Sequence, residues 1–290
     1  MRNPANHGAI AVMCLAQVAN VTMYAAAKWV GGQGIPAVEI VAFRFAFTAL
    51  GALSYAWFCY GPSIPKPTRL RTHGLRNILL LGSTGFGYAA VRHMHLADVQ
   101  AVFYLSPLIT TYAALLFLRE RLRPRVLPGI VASLAGVLII LQPVPAMAWP
   151  GVNLGSLCAL ASTTCSAGYA VATRALGREE PAAVTLLLSA VMTSVAAGLA
   201  ATVSAPVLPD LPTLAVLAGI GVVGLLHQLG LVVAHQRAEA NQLAPFVYLQ
   251  MPFALLAGLA VFGETIGIRE TIGIAIIVIV GLWVASAVQQ

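Results

Sequence analysis

The chain is a succession of long apolar segments separated by short stretches rich in polar residues, proline and glycine. A helix needs about 20 predominantly apolar residues to cross the hydrocarbon core of a bilayer. Backbone amides find no partner in lipid, so such segments must be helical. The pattern predicts ten transmembrane helices, at residues 8–27, 37–60, 74–91, 97–118, 126–142, 152–173, 181–204, 212–234, 242–262 and 268–287. The expected fold class is therefore all-α integral membrane.

Composition supports this prediction. Of the 290 residues, 59% are hydrophobic and 9% are charged, whereas about 25% are charged in soluble domains. The net charge of +7 could suggest nucleic acid. However, the basic residues lie between apolar segments, which is typical of membrane orientation signals. We expect a lipid bilayer and a small molecule as partners, and no nucleic acid.

The basic residues predict the orientation of the helices. Most of the 16 Lys and Arg residues lie at the N-terminus or in the even-numbered gaps. These are Arg2, Lys66, Arg69, Arg71, Arg76, Arg119, Arg121, Arg123, Arg125, Arg174, Arg178 and Arg237. Loops rich in Lys and Arg stay on the cytoplasmic side. The sequence predicts a multi-pass protein of the cell (inner) membrane with both termini in the cytoplasm.

The two halves of the chain resemble each other. A shift of 145 residues aligns several of the rarer residue types, which composition alone does not explain. The matched pairs are Tyr24 with Tyr169, Pro36 with Pro181, Pro67 with Pro212, Arg92 with Arg237, and Pro107 with Pro252. The sequence therefore predicts two repeats, 1–145 and 146–290. Each contains five helices, an odd number, so the second repeat must be inverted in the membrane, as in many transporters that expose one site to each side in turn.

The motifs resemble those of the drug/metabolite transporter superfamily, in its ten-helix EamA-type branch. The first half carries Pro36 ahead of Arg44, residues 101–107, and residues 118–120 followed by Gly129 and Gly136. The second half carries residues 244–248 (APFVY) and 262–264 (FGE), followed by Gly273 and Gly281. These two stretches are especially similar to S-adenosylmethionine-importer-like members. The resemblance implies an inverted repeat, a central cavity and transport of metabolites such as amino acids, nucleoside-like compounds or riboflavin.

Arg44 is the first candidate for substrate binding. It lies about eight residues, or about 12 Å, into the second predicted helix. An arginine at that depth is costly unless it faces a partner or a water-filled cavity. Its planar donors could clamp a carboxylate or phosphate. Alternatively, Arg44 braces helix ends by pairing with Glu39, Asp98 or backbone carbonyls.

Two helix faces are candidates for the walls of a substrate cavity. Gln17, Asn20 and Tyr24 share one face of the first helix, and the 145-residue shift places Tyr169 on the matching face of the sixth. Tyr104, Tyr248 and Gln250 lie in the fourth and ninth predicted helices. Aromatic rings there could stack on a ring or enclose a cation. Equally, these polar groups could form hydrogen bonds between helices, and the aromatic residues could simply pack.

Prolines and histidines supply candidates for movement and coupling. Pro107 and Pro252 interrupt the fourth and ninth predicted helices and could act as hinges, because proline removes a helical hydrogen bond. His227 and His235 could pass protons or could be neutral hydrogen-bonded side chains. The cysteines Cys14, Cys59, Cys158 and Cys165 lack the spacing of a disulfide framework or zinc site. We expect no metal and no cofactor.

These observations favour a secondary transporter that moves a small polar metabolite by alternating access. Amino acids, S-adenosylmethionine and similar zwitterionic or ring-containing solutes are the expected substrates. No ATP-binding loop and no hydrolase or metalloprotease motif occurs, so we expect no catalytic residue. The alternatives are an integral-membrane enzyme and a non-transporting membrane scaffold.

Overall fold

The computed structural model describes residues 4–67, 69–106, 109–110, 113, 128, 131–132, 135–136, 139, 153–176, 181–203, 208–237 and 250–288. Every regular secondary-structure element in these ranges is an α-helix. The helices are α1 (Pro4–Gly32), α2 (Ala37–Tyr60), α3 (Leu70–His93), α4 (Leu96–Phe103), α5 (Leu154–Leu176), α6 (Ala182–Val203), α7 (Leu211–Arg237), α8 (Gln250–Phe262) and α9 (Ile268–Val288). The all-helical prediction is confirmed for the described part of the chain. Most of the fifth predicted segment, 126–142, lies outside it, so the count of ten helices stays a prediction.

Several helices are suited to crossing a membrane. Among the described residues, five are long and apolar enough, at Gly8–Gly32, Ala37–Tyr60, Leu154–Thr173, Ala183–Thr202 and Leu211–Leu231. Large apolar side chains on them face outward; Phe58, for instance, is 88% exposed. A soluble monomer rarely exposes contiguous apolar surface of this kind. Their number, length and exposed apolar surface are those expected of a multi-pass membrane protein.

Local sequence explains where α2 begins and ends. Pro36 precedes its first residue with φ −63°, the value that the proline ring fixes. At the other end Gly61 adopts φ +59° and donates its backbone N–H to the Trp57 carbonyl, a conformation that favours glycine because it lacks Cβ. The observed bounds, Ala37–Tyr60, are those predicted from the sequence.

Helix α3 corrects one sequence-based prediction. We counted Arg76 among the cytoplasmic basic residues of the second gap, as an orientation signal, although the predicted helix 74–91 already includes it. Instead α3 begins at Leu70 and includes Arg76, whose side chain is only 3% exposed. The sequence was misleading because a basic residue near the end of an apolar run resembles a loop residue. In the folded protein, hydroxyl groups of other helices solvate the guanidinium.

Close packing fixes the relative directions of the helices. Helix α1 packs on α7, and α3 on α5. A side chain added at Gly230 would meet Ala16 at 3.0 Å, and one added at Gly224 would meet Met23 at 3.4 Å. Residue numbers rise along α1 as they fall along α7, so these two helices are antiparallel. Small residues allow this close approach, as is common in membrane bundles.

Helices α1 and α5 also run in opposite directions. Helix α3 is antiparallel to α5, because Gly82 faces Cys165 and Leu79 faces Gly168. Helix α3 is parallel to α1, because the Tyr24 ring contacts Tyr88 and Gly31 lies beside Arg92. It follows that α1 and α5 point opposite ways, although the 145-residue shift aligns them.

Candidate functional site

A cavity of about 330 Å³, to which many polar side chains contribute, lies among the helices of the two halves. This volume is within the range of about 300–1,000 Å³ typical of small-molecule sites. Its lining residues are Asn20, Met23, Tyr24, Arg44, Leu80, Ser83, Thr84, Phe103, Tyr104, Ser106, Ser162, Thr163, Ser166, Tyr169, His227, Gln228, Leu231 and Gln250. The set includes six of the eight residues predicted for substrate binding: Arg44, Asn20, Tyr24, Tyr104, Tyr169 and Gln250. None of the described lining residues is acidic.

Arg44 contributes the positive charge in this lining. It is 4% exposed, and its Nη1 donates a hydrogen bond to Thr84 Oγ1 at 3.1 Å. The guanidinium carbon lies 4.6 Å from the centre of the Phe45 ring, and Nε has no hydrogen-bond partner. No carboxylate in the described residues forms an ion pair with it, so the expected brace to Glu39 or Asp98 is not observed. A buried cation with unused donors is suited to binding an anionic or carbonyl group.

An aromatic cluster forms the wall next to Arg44. The Tyr24 ring packs edge-on against Tyr88, with ring centres 5.4 Å apart, and lies 5.3 Å from the ring of Phe103. The Arg44 guanidinium carbon is 5.7 Å from the centre of the Tyr88 ring. These contacts hold the Tyr24 ring in one orientation. The wall therefore combines a fixed aromatic surface with a cation, an arrangement suited to flat, electron-rich groups.

The wall formed by α5 carries Tyr169, which is supported from behind by Arg76. Arg76 Nη2 donates a hydrogen bond to the Tyr169 hydroxyl at 2.6 Å, and Nε donates to Thr173 Oγ1 at 2.8 Å. Nη1 donates to Ser189 Oγ. This role of Arg76 was not predicted from the sequence. A usable signal was present, since His73, Arg76, Asn77 and Thr84 are spaced along one face of α3 and are all buried.

Three amide side chains form a chain of hydrogen bonds at the edge of the cavity. Asn20 Nδ2 donates to Gln250 Oε1 at 3.1 Å, and Gln250 Nε2 donates to Gln17 Oε1. Gln17 Nε2 in turn donates to the sulfur of Met13 at 3.3 Å. Gln17 does not line the cavity; it lies behind Gln250 and orients it. The amide chain joins α1 of the first half to α8 of the second.

His227 lines the cavity from α7. Its Nδ1 bonds the Ala16 carbonyl oxygen at 2.8 Å. A carbonyl oxygen only accepts, so Nδ1 carries a proton and a neutral ring keeps Nε2 as an acceptor. The structure therefore places His227 in the cavity wall, tied to α1, and its predicted role in coupling stays a prediction.

The remaining predicted residues are only partly described. Tyr248 and Pro107 lie outside the described residues, as does the side chain of His235. Pro252 is the third residue of α8, with an exposed ring, and residues 238–249 before that helix are not described. The two hinges therefore stay predictions. Within the described ranges, no group of three His, Cys, Asp or Glu side chains is placed to hold a metal ion.

Known proteins resemble this chain over most of its length. The riboflavin transporter of Brucella anthropi is 28% identical over 260 residues, which is 87% of this chain and 89% of that protein. The pseudopaline exporter of Pseudomonas aeruginosa is 30% identical over 226 residues, covering 76% and 75% of the two chains. A solved crystal structure superposes with a TM-score of 0.68 at 19% identity, over 98% of this chain and 99% of the other. That likeness shows the fold alone.

The names of these relatives bear on the expected branch of the family. They do not include an S-adenosylmethionine importer, so that finer assignment is not confirmed. The family model for EamA-like transporters matches twice, at residues 7–142 and 153–287, and so covers most of the chain. This chain belongs to the EamA-like transporter family.

Proposed function

We propose that this protein is a secondary transporter that binds a small polar metabolite at the cavity beside Arg44 and exposes it to each side of the membrane in turn. The observation that carries the proposal is the burial of Arg44, which forms no ion pair with a described carboxylate, among aromatic and amide side chains in a cavity between the two halves. A buried cation without a counter-ion is costly in a bilayer. A bound solute that supplies the missing acceptor offsets that cost.

We infer that residues 1–145 and 146–290 form two inverted five-helix repeats. The opposite directions of α1 and α5 support this inference. The packing supports it as well, because exchanging the halves converts the α1–α7 pair into the α5–α3 pair, and both pairs are extensive. Repeats related in this way can exchange conformations around a fixed site. Two five-helix repeats give ten helices, which places both termini on the same side of the membrane. The distribution of Lys and Arg supports the cytoplasmic side of the inner membrane.

The cavity favours solutes that join a flat ring to hydrogen-bond acceptors. Riboflavin fits this description, because it carries carbonyl oxygens on a three-ring system and a hydroxylated chain. Relatives named as riboflavin transporters support it as the first candidate. A zwitterionic amino acid could also place its carboxylate on Arg44. S-adenosylmethionine carries a sulfonium cation, and no described lining residue is acidic, so the cavity favours it least.

Transport into liposomes tests the proposal. The purified protein is reconstituted, and uptake of riboflavin, aromatic amino acids and S-adenosylmethionine is compared with uptake into protein-free liposomes. We expect riboflavin uptake, and we expect Arg44→Gln to reduce it at least about tenfold, because a charge-assisted hydrogen bond of about 1.5–3 kcal/mol is lost. Arg92→Gln is the matched control, since Arg92 is exposed at the end of α3.

Two results would contradict the proposal. If no solute in the panel enters faster than into empty liposomes, the protein is not a transporter of this class, and an enzyme or scaffold becomes the better explanation. If a solute is transported equally well by the wild type and Arg44→Gln, transport stands but the site is elsewhere.

A further inference from the structure

Arg76 is a second buried cation in the membrane-spanning bundle. It is 3% exposed, and its three hydrogen-bond partners, Tyr169, Thr173 and Ser189, are uncharged. Its guanidinium carbon lies 4.6 Å from the centre of the Tyr169 ring. No carboxylate in the described ranges pairs with it. Hydroxyl groups accept three of its hydrogen bonds, and no described side chain compensates its charge, so Arg76 adds positive potential to its surroundings.

Arg44 and Arg76 occupy corresponding interfaces of the two halves. The 145-residue shift aligns Arg44 with Ser189 and Arg76 with Gly221. Ser189 accepts a hydrogen bond from Arg76, and a side chain at Gly221 would lie 2.8 Å from the Arg44 carbonyl oxygen. Each interface thus joins one arginine to one small residue, α2 with α7 in one case and α3 with α6 in the other. Arg44 lines the cavity itself, whereas Arg76 reaches it only through Tyr169, to which it is hydrogen-bonded.

Arg76 also determines how Tyr169 faces the cavity. A phenol group has one proton to donate and accepts through oxygen. The Tyr169 oxygen accepts the bond from Arg76, so its own proton points elsewhere and remains available as a donor. Tyr169 lines the cavity, and a cation behind its oxygen strengthens that donor, since hydrogen bonds to charged groups polarise their neighbours. The α5 wall therefore offers a donor to the cargo.

We propose that Arg76 is a second selectivity-determining residue of the cavity. It positions Tyr169 as a donor and, together with Arg44, makes the cavity positive, so that both walls select for anionic or acceptor-rich solutes. Arg76 acts through Tyr169 and through its field, without contacting the cargo in this conformation. This inference rests on the proposed function in one respect, namely that this cavity is the site that binds the transported solute.

Charged thiol reagents test the proposal without a cargo. All four cysteines are replaced by alanine, and Ser166→Cys introduces a thiol in the cavity lining. The thiol is reacted with the negative sulfonatoethyl and the positive trimethylammonium-ethyl methanethiosulfonates. The ratio of the two rate constants reports the local potential. Any change in the reactivity of the thiol itself affects both rates and cancels in the ratio.

Four variants distinguish the effect of the Arg76 charge from the effect of a change in packing. Arg76→Gln should lower the ratio of negative to positive reagent by about fourfold, the effect of one unit charge at about 10 Å in a water-like dielectric. Arg44→Gln should lower it at least as much. Arg76→Lys keeps the charge and should keep the ratio. Arg92→Gln, which removes an exposed charge outside the cavity, should leave it unchanged.

A further variant keeps the test decisive if Arg76→Gln does not fold. Ser189→Asp leaves Arg76 in place and adds a carboxylate beside it, so it should lower the ratio as well. If both Arg76→Gln and Ser189→Asp keep the wild-type ratio, or if neither reagent reaches the thiol at position 166, the proposal is wrong. Failure of riboflavin uptake would overturn the choice of solute and leave this result intact, so the two failures are distinguishable.

Discussion

Lys28 and Glu264 form an ion pair between segments 236 residues apart, where the end of α1 meets the link between α8 and α9. The side chains are only 17% and 7% exposed. Lys28 also donates to the Met94 carbonyl at 2.7 Å, and Glu264 accepts the Leu96 backbone N–H at 3.0 Å. This ion pair thus joins the end of α1, the link between α3 and α4, and the link between α8 and α9. It couples the first half of the chain to the second.

Neutralising one member of this pair should destabilise the protein strongly. Glu264→Gln leaves the Lys28 ammonium buried without its counter-ion, which costs about 3–5 kcal/mol in comparable buried pairs. We expect a clear fall in the midpoint of thermal unfolding in detergent. Adding Lys28→Met removes the stranded charge, so the double variant should regain part of the loss. Strictly additive losses would show that the two side chains do not interact.

The amide chain at the cavity edge gives a second prediction. Gln250→Leu leaves the Gln17 carbonyl without a donor and Asn20 without an acceptor. Unsatisfied buried groups cost about 1–3 kcal/mol each, so the midpoint of unfolding should fall. Gln228→Leu is the matched control, because Gln228 lines the same cavity and forms no side-chain hydrogen bond with described residues. Equal effects of the two substitutions would contradict the orienting role of Gln250.

Two neighbouring glycines of α7 give a third prediction. A Cβ at Gly221 would lie 2.4 Å from Phe47 Cβ and 2.8 Å from the Arg44 carbonyl oxygen, whereas a Cβ at Gly219 would have nothing within 4 Å. Gly221→Ala should cost about 1–3 kcal/mol by overpacking. Gly219→Ala should be neutral or stabilising by up to about 1 kcal/mol from helix propensity. Unfolding midpoints of the two variants check this; the same sign for both would exclude close α2–α7 packing at Gly221.

The start of α7 gives a pH-dependent prediction. Asp210 Oδ1 accepts the Thr213 backbone N–H at 3.1 Å. Hydrogen bonds from Thr213 lower the pKa of Asp210 below its usual value. A carboxyl group whose pKa is lowered by folding stabilises the protein above its unfolded pKa, and that contribution disappears as the pH falls through the folded pKa. Asp210→Ala should therefore lower the unfolding midpoint at neutral pH, and the difference should shrink below about pH 4. A pH-independent difference would contradict the capping role.

Short-range sequence patterns were sufficient to predict much of this protein. Pro36 and Gly61 set the bounds of α2 through their own backbone preferences. The helical period placed Asn20 and Tyr24 on one face. Because unsatisfied polar groups are costly in lipid, that face was predicted to point into the bundle. The depth of Arg44 in an apolar segment predicted its burial. Each of these inferences depends on residues within one helix, so the sequence alone determined them.

Only the tertiary structure decided which side chains satisfy one another. Arg76 was assigned to a gap between helices because nothing near it in the sequence indicates a partner. Its partners Tyr169, Thr173 and Ser189 lie 93 to 113 positions away in the chain. The pairing of Lys28 with Glu264 spans more than twice that distance. A local pattern indicates that a buried polar group must find a partner. It does not identify that partner, because a buried charge is solvated by whichever groups the packing of the helices brings within hydrogen-bond distance. For Arg76, the packing of α3, α5 and α6 decides this.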